Sequence, residues 1–156
     1  MTGHKTAILG IGNPLCCDDG IGIRVIQVLQ SQTRYPGADI IDGGTAPDLL
    51  SLLDESVERL IIVDALRAGG APGEIYRLEI SDSNIAEQPQ ALLHGMGVLD
   101  SLQLMARLGM KQPKVTLIGI EPFDVAHGLH LSPQMEALLP DIILAVENEL
   151  NNNILK

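Results

Sequence analysis

Residues 6–11 (TAILGI) make a short apolar run that ends at Gly12-Asn13, and such a run bounded by turn residues predicts a buried strand. Over 20–34 the apolar positions Ile21, Val25, Ile26 and Leu29 recur at helical spacing until Pro36-Gly37 stops them, which predicts a helix. A second strand is expected at 39–42 (DIID), running into GGT, and a second helix in PDLLSLLDE with Pro47 in its first turn. The most strand-like stretch is 59–65 (RLIIVDA), whose unbroken apolar run suits a central strand covered on both faces. Residues 74–80 (EIYRLEI) alternate apolar with polar, as an antiparallel edge strand with one wet face does. After a loop over 81–93, a helix is expected at 97–109, a buried strand at 114–120 (KVTLIGI), and a last helix capped by Ser132 with Pro133 at its first position. Its inner stripe is Met135, Leu138, Leu139, Ile142, Ile143, Val146 and Leu150, with Pro140 a source of bending.

Strands alternating with helices imply a three-layer α/β/α sandwich with a mostly parallel sheet and one antiparallel edge strand. The 156 residues fit a single domain, 1–156, and two Tyr, one Phe and no Trp make its core almost wholly aliphatic. A formal charge of -10 would repel a phosphate backbone, so nucleic acid is excluded as a partner. No apolar run approaches the roughly 20 residues of a membrane span. Cys16 and Cys17 are the only cysteines, and as sequence neighbours they are too strained for an ordinary structural disulfide. A reducing, cytoplasmic setting follows as the expectation.

In a sheet of this kind ligands gather beyond the carboxyl ends of the strands. Asp18 and Asp19 follow the first strand, Asp42 ends the second, Asp64 sits near the end of the third, and Glu121 ends the last. Helix capping and turn formation account for Asp18, Asp19 and Asp42 taken singly. Asp64 interrupts LIIVDAL where burial is expected, and an ionised carboxylate there needs a cation, a donor or a proton. His94, in LLHGMG ahead of a helix, supplies an imidazole for the same rim. Two carboxylates and one imidazole form an open site for a borderline divalent metal such as zinc or nickel.

Other features point to less. His127 and His130 (HGLH) share a helical face only if helical, and Gly128 between them favours an ordinary surface loop. Adjacent thiols do not easily chelate one ion, so Cys16 and Cys17 are expected to pack, with at most one facing the site. Gly10 and Gly12 give G-x-G, but Leu15 stands where a dinucleotide fingerprint needs its third glycine and no G-K-[ST] follows. The G-x-G-N-P stretch also occurs in peptidyl-tRNA hydrolases, and the charge argues against an RNA substrate.

Taken in order, GIGNPLCCDDGIGIRV, DGGT, LIIVDA, LLHGMGVLD and VTLIGIEP with LSP resemble the [NiFe]-hydrogenase maturation endopeptidases over nearly the whole chain. The resemblance implies an α/β sandwich whose metal ligands are the second acid of the D-[DE]-G loop, here Asp19, the strand Asp64, and His94. It implies removal of a C-terminal extension from a hydrogenase large-subunit precursor after nickel insertion. Nickel, presented by the loaded precursor, would be the recognition signal, although another divalent metal such as zinc suits the same donors. Asp42 is the candidate base or positioning residue; an Asp that merely fixes the glycine turn explains it equally well. Cys16 and Cys17 stand where the family more often has apolar or small residues, and Asp19 replaces the Glu of some members. A non-catalytic nickel-dependent checkpoint or carrier, and another small metal-dependent peptidase, are the alternatives.

Overall fold

The computed structural model describes residues 5–32, 35–80 and 96–152; the loop expected over 81–93 and His94 lie outside the described residues. Five strands form one sheet: β1 (Lys5–Gly10), β2 (Ala38–Asp42), β3 (Val57–Ala65), β4 (Ile75–Ile80) and β5 (Lys114–Ile120). Their order across the sheet is β2-β1-β3-β5-β4. The first four are parallel, and β4 pairs antiparallel with β5 at the edge, as the alternation of 74–80 predicts.

Helices cover both faces. Ile8, Ile61, Val63, Ile118 and Ile120 pack with residues of α1 (Ile21–Gln30) and α4 (Pro133–Asn151). Ala7, Leu9, Leu60, Ile62, Val115 and Leu117 pack with α2 (Leu49–Leu52) and α3 (Met96–Arg107). These two rows are the alternate residues of each strand, so both faces of the parallel strands are apolar because both are buried. The arrangement is the expected three-layer sandwich.

Local chemistry sets the ends of the elements. Ser132 caps α4, its Oγ accepting from the Met135 N–H at 3.2 Å with Pro133 at the first position, and the helix continues through Pro140. The second helix is shorter than its apolar residues suggest. Its cap is Asp48, whose carboxylate accepts from the Leu50 N–H at 3.1 Å, so Pro47 precedes the helix instead of opening it. The first helix begins as a single 3-10 turn, Cys17–Gly20, before α1 proper.

Helix α1 rests directly on the sheet. A Cβ on Gly22 would fall 2.2 Å from the Ile11 carbonyl oxygen and 2.3 Å from that of Val63. Helical backbone therefore touches the carboxyl ends of β1 and β3, a contact only glycine permits. The same approach sets the turn before α1 against β3.

Opposite this rim, Glu149 near the end of α4 joins two arginines. Arg59 of β3 donates to its Oε1 at 3.0 Å, and Arg77 of β4 donates through Nε to Oε2 at 2.6 Å. Arg59 also donates to the Glu149 and Leu150 carbonyls, which caps the helix's negative end. The paired guanidinium groups hold the Glu149 carboxyl below the ordinary glutamate range, Arg77 contributing most.

Candidate active site

Three segments meet where β1 ends, and a fourth packs on the stretch that follows one of them. The Gly12 N–H donates to the Gly44 carbonyl at 3.0 Å, and Gly43 N–H to the Gly10 carbonyl at 2.8 Å, which docks the DGGT turn on the first strand. On the other side a Cβ at Gly12 would lie 2.2 Å from the Asp19 carbonyl oxygen, while Asn13 N–H donates to that oxygen at 3.2 Å. The third segment is the end of β3, where the Ile11 N–H donates to the Val63 carbonyl at 3.0 Å. The fourth is the start of α3, since a Cβ at Gly97 would come 2.8 Å from the Pro47 carbonyl.

Asp64 follows Val63 and is fully buried, and its Oδ1 accepts from the Ala65 N–H at 2.8 Å. Strand alternation puts it in the row of Leu60 and Ile62, on the face that α2 and α3 cover. Asp19 is buried in the turn that packs on β3. These two predicted ligands therefore occupy neighbouring strand ends. Met96, two residues after His94, begins α3 at the same end of the sheet. Among the described residues, no group of three His, Cys, Asp or Glu side chains is arranged to hold a metal ion. The two acids supply oxygen donors of the kind a divalent cation takes.

Asp42 is exposed at the end of β2, and its Oδ1 accepts from the Gly44 N–H at 2.9 Å, with Gly44 at φ +65°. This is an Asx turn, the geometry of the turn-fixing alternative for this residue. Glu121, another acid of the rim, is committed to structure. Its Oε2 accepts from the Ala68 N–H at 2.8 Å and the Tyr76 hydroxyl at 3.1 Å. Burial together with Glu121 and Glu74 pushes the Tyr76 hydroxyl up to about 12, so it stays a donor at neutral pH.

Asp18 is the residue whose role the sequence conceals. Fully buried, it accepts four hydrogen bonds: from Phe123 N–H and Asp124 N–H at 3.0 Å each, and from the Ser132 N–H and Oγ at 2.8 Å each. Its own N–H donates to the Asp124 carbonyl at 2.9 Å.

The thiols diverge as consecutive side chains do. Cys16 Sγ lies 3.4 Å from the donating Asn13 Nδ2 and 4.0 Å from His127 Nδ1, whereas Cys17 Sγ faces Gly128. Backbone bonds from Cys17 N–H to the Gly128 carbonyl and from Gly128 N–H to the Leu15 carbonyl zip the two loops together. Burial, then Asp124, Asp18 and Cys16, pushes the Cys17 thiol up, so it is protonated at neutral pH and a poor nucleophile. His127 and His130 are exposed and non-helical, as Gly128 foretells.

Residues 23–149 match the model of the hydrogenase maturation protease (HycI) family. The chain belongs to the hydrogenase maturation proteases. It is 32% identical over 139 residues to the hydrogenase 2 maturation protease of Escherichia coli strain K12, covering 86% of this chain and 84% of the relative. The hydrogenase maturating endopeptidase HybD from Escherichia coli superposes with a TM-score of 0.82 at 28% identity, over 96% of this chain and 93% of that one. The [NiFe] hydrogenase maturation protease HybD from Thermococcus kodakarensis does so at 0.77 and 25%, over 92% and 97%. A hydrogenase maturation protease is a peptide hydrolase, and the rim described above is where its fold gathers acids. Asp64 and His94 fall inside the span matched to the family; Asp19 lies just before it.

Proposed function

We propose that this protease removes the C-terminal extension of a [NiFe]-hydrogenase large-subunit precursor once nickel has been inserted, and that Asp19, Asp64 and His94 recognise the nickel. The observation that carries the proposal is Asp64, a fully buried carboxylate at the end of the central strand of a hydrogenase maturation protease. An acid held there, next to the turn bearing Asp19, gains most from a partner that brings a cation. Nickel belongs to the substrate in this scheme. A loaded precursor offers charge to neutralise the acids and an empty one does not, so affinity itself discriminates between them.

Cleavage needs a polarised carbonyl and an attacking water, which a cation with open positions beside a carboxylate can supply. Asp42 serves to position the rim, because its Oδ1 is engaged by the Gly44 N–H. Two thiols outside any disulfide suit a reducing compartment, and action in the cytoplasm is part of the proposal.

The test is to mix the protein with a large-subunit precursor, nickel-loaded or nickel-free, and weigh the precursor by mass spectrometry. A C-terminal peptide should be lost only from the loaded sample. Complex formation without any change in mass would instead make the protein a checkpoint. Asp64→Ala and His94→Ala should each abolish processing with the circular dichroism spectrum retained, and normal processing by both would remove the site assignment.

A further inference from the structure

We propose that Asp18 is a positioning residue for the protease: its buried carboxylate fixes the turn that presents Asp19, and so sets how tightly the loaded precursor is held. The inference rests on the assignment of Asp19 to nickel recognition. Asp18 is neither near the surface nor available as a ligand, since four donors converge on its two oxygens. Those donors come from the loop after β5 and from the first residue of the α4 cap, elements 105 to 114 residues away in sequence.

The neighbouring peptide is gripped by the loop that precedes it. Asn13 N–H donates to the Asp19 carbonyl at 3.2 Å, Gly12 leaves no gap beneath that carbonyl, and Asp19 N–H donates to the Cys16 carbonyl at 3.1 Å. With its main chain held on both sides, Asp19 retains only side-chain torsions with which to move its carboxylate. Preorganisation of this kind is what keeps a ligand at its productive distance without an ordering cost on binding. An amide cannot substitute cleanly. Asn at position 18 would place an NH₂ against one of the donors that Asp18 now satisfies, leaving donor facing donor.

The experiment measures processing of nickel-loaded precursor across a range of precursor concentrations, well below the melting temperature of every variant. Asp18→Asn should raise KM by about tenfold to a hundredfold, the usual scale for loss of a group that orients a ligand, with a smaller change in kcat. Glu149→Gln, at the far end of the sheet, controls for lost stability and should leave KM unchanged. A folded Asp18→Asn protein with wild-type KM overturns the inference. If Asp18→Asn does not fold, Ser132→Ala removes one donor and keeps the backbone bond: KM should rise severalfold and return with Ser132→Thr, and a wild-type KM for Ser132→Ala overturns the inference. Asp19→Ala separates the two proposals. Unchanged KM there defeats the nickel role of Asp19 itself, whereas a lost activity there with a normal Asp18→Asn defeats only the positioning role.

Discussion

Asp42 and Asp18 are both aspartates at the carboxyl end of the sheet, yet one is exposed around a single backbone N–H and the other is buried under four donors. The contrast yields a direct test of Asp42. Asn keeps an oxygen for the Gly44 N–H but cannot take a proton, so Asp42→Asn should process precursor at close to the wild-type rate. General bases contribute about 10²–10⁴-fold, and a loss on that scale in single-turnover assays would make Asp42 the base after all. At this scale the sequence was informative about position and poor about partnership. Strand ends located Asp19, Asp42, Asp64 and Glu121 correctly, because apolar runs stop where the sheet stops. Nothing local could reveal that Asp18 answers to Ser132, or that Glu121 answers to Tyr76, since those partners are brought in by the fold.

Helix α4 shows the same division within one element. Its cap, its proline and its stripe of Met135, Leu139, Ile142 and Val146 were legible from spacing alone. Glu149 continues that stripe by three residues and is just as buried, but its charge disguised it. Helix α2 departs from its sequence pattern because Asp and Pro both open helices, and the Asp48 side chain takes the cap. The Glu149 hub predicts an acid-sensitive fold. Its carboxyl titrates lower when folded than unfolded, so its stabilisation is complete above the ordinary glutamate range and is lost as pH falls through the folded value. Glu149→Gln should cost about 3–5 kcal/mol at neutral pH, the usual penalty for breaking a buried pair from one side, and should flatten the acid limb of stability measured by urea unfolding. An acid limb as steep as that of the wild type would place the sensitivity elsewhere.

Across the whole molecule, 20 acidic residues face 10 basic ones, and the surplus opposes compaction by self-repulsion. Raising ionic strength from about 0.01 M to about 0.15 M shortens the Debye length from roughly 30 Å to roughly 8 Å. The melting temperature of the protein should therefore rise with salt over that range in calorimetry, and a fall would mean that its surface ion pairs outweigh the repulsion. The architecture itself was readable at this scale: alternating strands and helices announce the sandwich, and the two-faced apolar strands announce the parallel sheet. The wiring between distant segments was not, because hydrogen bonds spanning a hundred residues leave no periodicity behind.

The tie between Asp18 and Ser132 has a bearing on when the molecule becomes competent. A ribosome delivers Asp19, Asp42 and Asp64 early, and all three must wait for residue 132 before the clasp that steadies Asp19 can shut. A protease built this way finishes its own making before it can inspect anyone else's.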